Sequence, residues 1–224
     1  FDIELCSVAH SIPESNALII RTPHGNVLHT GDWKLDPTPI LGDPTDEAKL
    51  RAFGDEGCLA LIGDSTNAVR DGRSPSEADV AKTLAELIAN APGRVAVTTF
   101  ASNVARIRAV AEAARAADRE VVLVGRAMER VVQVARETGY LEGVQEFRGV
   151  DVYGHLPNDK VVMDYEKHSA EADKLLDNLT ITSTELFKTP TIRLDTGHST
   201  FTDVHSRFAL AIASTSKSSM RASV

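Results

Sequence analysis

The chain has 224 residues and a formal net charge of −8 at pH 7, with 42% hydrophobic and 25% charged residues. This composition is ordinary for a globular protein that buries a substantial core, and it offers no run of the ~20 apolar residues that a membrane-spanning helix needs. The negative charge argues against a protein that coats nucleic acid through bulk positive charge, but it is compatible with an enzyme that holds RNA in a local cleft.

The two cysteines, Cys6 and Cys58, stand in apolar runs. A zinc site built on cysteine needs a CxxC pair, which the sequence lacks. Reduced thiols in the core are favoured over a disulfide, as in cytosolic proteins. We therefore predict a cytoplasmic protein with two buried thiols and no membrane association.

Apolar and β-branched runs predict mostly β-structure in the first sixty residues. Turn residues Pro23 and Gly25 are typical of a hairpin. The predicted elements are a first strand at 1–5, a hairpin that joins 17–21 to 27–29, a helix over 46–53 and a buried strand over 58–62.

Helices and strands then alternate regularly. Ser74-Pro75-Ser76-Glu77 predicts a capping box with proline at the first helical position, and Ser102 is a candidate cap for the next helix. The predicted series is a helix through 80–88, a strand over 94–100, a helix through 104–114, a strand over 120–124 and a helix that ends at Gly139. This β-α-β order implies an α/β fold with a parallel sheet and right-handed crossovers.

The pattern changes after about residue 160. Residues 163–179 predict a charged helix, and the Ser-rich stretch 213–224 has little to bury, which predicts a poorly ordered tail.

Two residues are candidate metal ligands. His10 follows the first predicted strand, and Asp32 follows the hairpin in the sequence HTGDWK. Metal-assisted hydrolysis needs histidine and carboxylate ligands that converge from separate strand ends. By spacing alone, a loop histidine and a turn aspartate without a metal are the commoner case, so the assignment depends on wider context.

Four segments supply that context, because in this order they resemble ribonuclease J, a family of metal-dependent ribonucleases of the metallo-β-lactamase/β-CASP class. They are VAHSIPESNALIIRTPHGNVLHTGDWKLDPTP, LALIGDSTNA, GRVAVTTFASNVARI and GRAMERVVQVARETGYL. The resemblance implies the end of a metallo-β-lactamase domain at 1–56, a β-CASP-like α/β domain at 57–162 and a divergent segment at 163–224.

The resemblance also implies roles for individual residues. His10 matches a zinc-binding histidine, and Asp32 matches the carboxylate that bridges two zinc ions. Asp64 matches an acidic residue that supports the active site. His198, in TGHS, is similar to a later active-site histidine, although it arrives early in the chain.

Three further residues are candidate RNA contacts. Ser102 and Asn103 begin a helix after a strand, where free N–H groups suit a phosphate, and Arg126 begins the next helix after a strand. A plain helix cap and a solvated surface arginine are the alternatives. This chain has Ala127 where the family usually has serine.

The resemblance implies a two-zinc ribonuclease that cuts RNA internally and from the 5′ end, in RNA processing and decay. Full-length members of the family form homo-oligomers. The family's HxHxDH motif is absent from these 224 residues, so we expect an incomplete piece with little or no activity. The main alternative is a non-catalytic β-CASP-like module that binds RNA or protein. A metal-dependent ester or lactam hydrolase and a nucleotide-binding domain rank lower, the latter because no GxGxxG follows a strand.

Overall fold

The computed structural model describes residues 1–66, 68–69, 71–72 and 74–166, together with the backbone of three later strands at 181–185, 192–193 and 209–213. The chain forms two compact units, the first from residues 1–82 and 102–106, the second from residues 83–101 and 107–224. Within the described residues, none of the helices has both the length and the apolar character to cross a bilayer.

The first unit contains a four-stranded sheet of order β1-β2-β3-β4. Its strands are β1 (Asp2–Ser7), β2 (Asn16–Thr22), β3 (Gly25–His29) and β4 (Ala60–Ile62). β2 is antiparallel to both β1 and β3, whereas β4 runs parallel to β3. As a result β1, β3 and β4 point the same way, and their carboxyl ends share one edge of the sheet.

Helix α1 (Glu47–Glu56) covers one face of this sheet. It begins as predicted, because the Asp46 side chain accepts a hydrogen bond from the Lys49 N–H at 2.9 Å. Phe53 packs against Cys6 and Ile19 in a small apolar core. The hairpin of β2 and β3 is also confirmed.

The prediction of a buried strand at 58–62 is wrong with respect to burial. β4 is the edge strand of its sheet, and Leu61 and Ile62 are exposed. Cys58 is exposed as well, whereas Cys6 is buried as predicted. The apolar composition of 58–62 predicted burial, but no described part of the chain covers these residues.

The second unit contains a six-stranded sheet of order β6-β7-β5-β10-β8-β9. β5, β7 and β6 are mutually parallel, and β10 joins β5 in antiparallel orientation, followed by β8 and β9. The strands are β5 (Arg94–Thr99), β6 (Glu120–Val124), β7 (Val161–Glu166), β8 (Ile181–Glu185), β9 (Ile192–Arg193) and β10 (Ala209–Ala213).

Three helices alternate with these strands, namely α2 (Glu77–Asn90), α3 (Val104–Ala116) and α4 (Arg126–Glu137). Two 3-10 helices, Val150–Val152 and Asn158–Lys160, precede β7. The α/β class is confirmed. The parallel part of the larger sheet has three strands. The predicted strand at 58–62 does not join this sheet, because it pairs with β3 in the first unit. The first compact unit extends through residue 82 and also includes residues 102–106.

The first residues of two helices differ from the prediction. The Ser76 hydroxyl accepts hydrogen bonds from the N–H groups of Ala78 and Asp79, so Ser76 and not Ser74 caps α2. Asn103 rather than Ser102 caps α3, because its Oδ1 atom accepts the Arg106 N–H at 3.0 Å. Any of these short polar residues can act as a cap, and the sequence offered two candidates at each start.

The charged helix predicted at 163–179 is wrong over its first residues. β7 continues through Glu166 and is hydrogen-bonded to β5 on one side and β6 on the other. Its first five residues are buried, which a Val- and Met-rich strand between two neighbours achieves better than a charged helix. Residues 167–180 lie outside the described residues. The tail predicted from residue 213 begins at the last residue of β10, and 214–224 also lie outside the described residues.

Candidate functional site

The topology of the first unit places three candidate site residues beyond the same edge of the sheet. β1 ends at Ser7, three residues before His10. β3 ends at His29, before Asp32, and β4 ends shortly before Asp64. Loops that follow strands of the same direction are the usual carriers of ligands and catalytic groups in such sheets.

Hydrogen bonds join the loop of His10 to the loop of Asp32. The Lys34 N–H donates to the Ala9 carbonyl at 2.9 Å, which forms an isolated antiparallel bridge. The Thr45 hydroxyl completes the contact, because it accepts the Ala9 N–H and donates to the Lys34 carbonyl, both at 2.9 Å. The backbones next to His10 and Asp32 are therefore held side by side.

A second set of hydrogen bonds joins the loop of Asp32 to the loop of Asp64. The Thr30 N–H donates to the Ile62 carbonyl at 2.9 Å and continues the ladder between β3 and β4. The Thr30 hydroxyl accepts the Asp64 N–H at 3.1 Å and donates to the Gly31 carbonyl at 2.8 Å. All three candidate loops thus belong to one hydrogen-bonded edge.

The candidate side chains themselves remain accessible. His10 is half-buried, with its Nδ1 atom 3.4 Å from the Ser11 hydroxyl, and Asp32 is exposed. Asp64 is also exposed, and its Oδ1 atom accepts hydrogen bonds from the N–H and the hydroxyl of Thr66. His29 supports the turn before Asp32, because its Nδ1 atom accepts the Gly31 N–H at 3.1 Å.

His10 and Asp32 supply fewer ligands than a zinc ion requires. A catalytic zinc takes three protein ligands and keeps a fourth position open. No cluster of three or more His, Cys, Asp or Glu side chains suited to a metal ion occurs among the described residues. His10 and Asp32 offer one imidazole and one carboxylate, which is short of a complete site.

Four charged residues, three of them buried, form a cluster that begins in the loop after Asp32. Lys34 bridges two carboxylates, with its Nζ atom 2.9 Å from both Asp36 and Glu77. Arg106 donates to the other Glu77 oxygen, also at 2.9 Å. We call Lys34, Asp36, Glu77 and Arg106 the charge cluster. Its two cations and two anions balance, and the Asp36 and Arg106 side chains are each only 1% exposed.

The pKa values in the charge cluster reflect this balance. Burial raises the pKa of Glu77, but the charges and hydrogen bonds of Arg106 and Lys34 outweigh burial and hold that pKa below its ordinary value. Burial likewise acts on Asp36, and hydrogen bonds from the Glu77 and Thr38 N–H groups and from Lys34 again leave its pKa lowered. Both carboxylates are thus held ionised at neutral pH.

Sequence reasoning missed the charge cluster. Glu77 was predicted to be part of a capping box, whereas its carboxylate binds Lys34 and Arg106. The residues are far apart in the sequence, and no spacing rule connects them. The only signal was a lysine two residues after the candidate ligand Asp32.

The predicted RNA contacts have different environments. Ser102 is exposed just before α3, whereas Asn103 is buried and its side-chain oxygen caps that helix. Arg126 is exposed at the first position of α4, in the second unit. His198 lies outside the described residues.

Comparison with known proteins gives a consistent result. Residues 92–166 match the family "Ribonuclease J, beta-CASP domain". The chain is 58% identical over 163 residues to ribonuclease J of Sinorhizobium meliloti, a match that covers 73% of this chain and 29% of that protein. It is 45% identical over 163 residues to ribonuclease J of Thermus thermophilus, which covers 73% of the chain and 28% of that protein. With ribonuclease J of Corynebacterium glutamicum the identity is 50% over 142 residues, which covers 63% of the chain and 20% of that protein.

The chain spans less than a third of the length of these curated relatives. The similarity to them covers nearly three quarters of the chain, and the β-CASP match falls on the parallel strands β5, β6 and β7 with the helices between them. The family model identifies residues 92–166 as a ribonuclease J β-CASP domain, and the relatives support the identification of the chain as a fragment of a ribonuclease J.

Proposed function

We propose that this chain is part of a metal-dependent ribonuclease that cuts RNA internally and from the 5′ end, and that His10 and Asp32 are two of its zinc ligands. The observation that supports this proposal is the shared edge at which β1, β3 and β4 end. It brings an imidazole-bearing loop and a carboxylate-bearing loop into backbone contact. The remaining ligands would come from parts of the longer protein that these 224 residues do not include.

The chain's own residues would contribute binding and orientation. Asp64 would support the site from the neighbouring loop, and the Thr66 hydrogen bonds fix its carboxylate in place. Ser102 is exposed just before α3, where the positive end of the helix dipole suits an RNA phosphate. Asn103 would act indirectly, since its side chain holds the first turn of that helix. The exposed Arg126 would supply a separate phosphate contact from the second unit.

A non-catalytic module that binds RNA or protein is the second candidate. The absence of three convergent metal-binding side chains within the described residues favours it for the isolated chain. In that case RNA would be bound but not cut, and metal would have no effect on binding.

The two candidates are separated by incubating the longer protein that contains these 224 residues with a 5′-phosphorylated RNA and either Zn²⁺ or Mn²⁺. The ribonuclease proposal expects cleavage that Asp32→Ala abolishes and that chelation removes. Asp43→Ala is the matched control, because Asp43 is an exposed aspartate in the same unit. Cleavage that survives Asp32→Ala would overturn the ligand assignment, and RNA binding without any cleavage would favour the non-catalytic module.

A further inference from the structure

We propose that Thr30 is a positioning residue, whose buried hydroxyl holds the loop of Asp64 in register with the loop of Asp32; this deepens the proposed function and rests on it. Thr30 lies two residues before Asp32 and immediately after β3. Its hydroxyl accepts the Asp64 N–H at 3.1 Å and donates to the Gly31 carbonyl at 2.8 Å. One side-chain oxygen therefore connects the backbone of both loops.

The Thr30 hydroxyl is buried and lies next to the last hydrogen bond between β3 and β4. Thr30 is 5% exposed, so water competes weakly for its hydrogen bonds. The Thr30 N–H pairs with the Ile62 carbonyl, which is the last ladder bond between β3 and β4. The hydroxyl extends the contact between the two strands by one step beyond that bond, from Ile62 to Asp64.

The position of Gly63 agrees with this assignment. A Cβ atom on Gly63 would lie 3.7 Å from the Thr30 hydroxyl oxygen and 3.8 Å from its methyl group. A side chain at position 63 would thus be in ordinary van der Waals contact with Thr30, so Gly63 lies beside the Thr30 side chain. The segment between β4 and Asp64 therefore runs beside Thr30 as well as being hydrogen-bonded to it.

The hairpin offers a matched comparison. The Thr22 hydroxyl donates to the Gly25 carbonyl at 2.8 Å and accepts the His24 N–H at 3.1 Å. Like the Thr30 hydroxyl, it donates one hydrogen bond to a carbonyl and accepts one from a backbone N–H. It lies at the opposite edge of the same sheet, away from every candidate site residue of the first unit. Loss of the Thr22 hydroxyl should therefore perturb the hairpin turn and leave the Asp64 loop unchanged.

The test compares Thr30→Val, Thr30→Ser and Thr22→Val in the full chain. Valine has the shape of threonine without the hydroxyl, and serine keeps the hydroxyl. The first measurement is amide hydrogen exchange at Asp64. We expect Thr30→Val to speed this exchange about tenfold, which corresponds to the loss of one buried hydrogen bond. Thr30→Ser should restore the original exchange rate at Asp64. Thr22→Val should instead speed the exchange of the His24 amide. An unchanged Asp64 amide in Thr30→Val would overturn the proposal.

The second measurement is RNA cleavage with Mn²⁺ by the longer protein that contains this chain and supplies the remaining metal ligands. Thr30→Val should lower kcat about tenfold, because a misplaced supporting carboxylate affects the reacting geometry, with KM unchanged and with rescue by Thr30→Ser. An equal kcat in Thr30→Val and the unaltered longer protein would overturn the positioning role. If the unaltered longer protein cleaves no RNA, the proposed function fails and the catalytic role of Thr30 fails with it, whereas the exchange experiment still decides whether Thr30 couples the loops.

A folding defect is distinguished by fluorescence. Trp33 is the one tryptophan of the sequence and packs against the core of the first unit. Its emission spectrum should be unchanged in Thr30→Val under the assay conditions. A shift to the spectrum of the urea-unfolded chain in both Thr30 variants would overturn the proposal, because it would show that Thr30 serves overall folding.

Discussion

The charge cluster gives the sharpest stability prediction, which is the effect of Glu77→Gln. Glutamine keeps the size of the side chain but removes the carboxylate that Lys34 and Arg106 share. The Arg106 side chain is 1% exposed, so its charge would stay buried without the Glu77 carboxylate, and only Asp36 would remain as an anion of the cluster. Breaking a buried pair by removal of one partner costs about 3–5 kcal/mol.

That cost is large enough to measure directly. At about 2–4 °C per kcal/mol for a protein of this size, the thermal midpoint of the first unit should fall by roughly 6–20 °C. Trp33 fluorescence reports this unit without interference from another tryptophan, so urea or thermal unfolding can be followed at its emission. The matched control is Glu86→Gln, an exposed glutamate on the same helix, which should stay within about 0.5 kcal/mol of the unaltered chain. A Glu77→Gln variant as stable as that control would refute the reasoning.

Three further predictions follow from the described contacts. The pKa values of Glu77 and Asp36 are lowered in the folded state. Their stabilising effect is therefore present above the ordinary carboxyl pKa and is lost as the pH falls through the folded pKa values. The unfolding midpoint should fall in acid, and it should fall less steeply in Glu77→Gln. Ser76→Ala should lower the free energy of unfolding by about 1 kcal/mol through loss of the α2 cap, whereas Ser74→Ala should have little effect; equal effects in urea titrations would contradict the cap assignment. A maleimide should label the native chain once, at Cys58, and a second label before unfolding would contradict the burial of the other thiol.

Local features of the fold were predictable from the sequence. The hairpin and α1 depend on turn residues and a capping aspartate that act over a few positions, and both were predicted correctly. The caps of α2 and α3 were placed one or two residues too early, because neighbouring polar residues suit a cap equally well. Propensity identifies a helix start but does not choose between adjacent candidates.

Tertiary features were not predictable in the same way. The apolar run at 58–62 was assigned to the core, although burial depends on what covers a strand and not only on its composition. Residues 163–166 of β7 were assigned to a helix, because the pairing of β7 with β5 and β6 involves residues distant in sequence. The site shows the same division. Motif resemblance located His10, Asp32 and Asp64, whereas the coupling through Thr30 became visible only when β3 and β4 were paired.

The position of β7 also affects how the second unit is made. β7 lies between β5 and β6 in the sheet, yet it follows both of them in the chain, and β6 is complete at Val124 while β7 ends at Glu166. A ribosome therefore releases β5 and β6 before β7, the strand that lies between them and pairs with both. During that interval their edges are open to other chains. The parallel core should form late in synthesis, in a single step that depends on the arrival of Val161–Glu166.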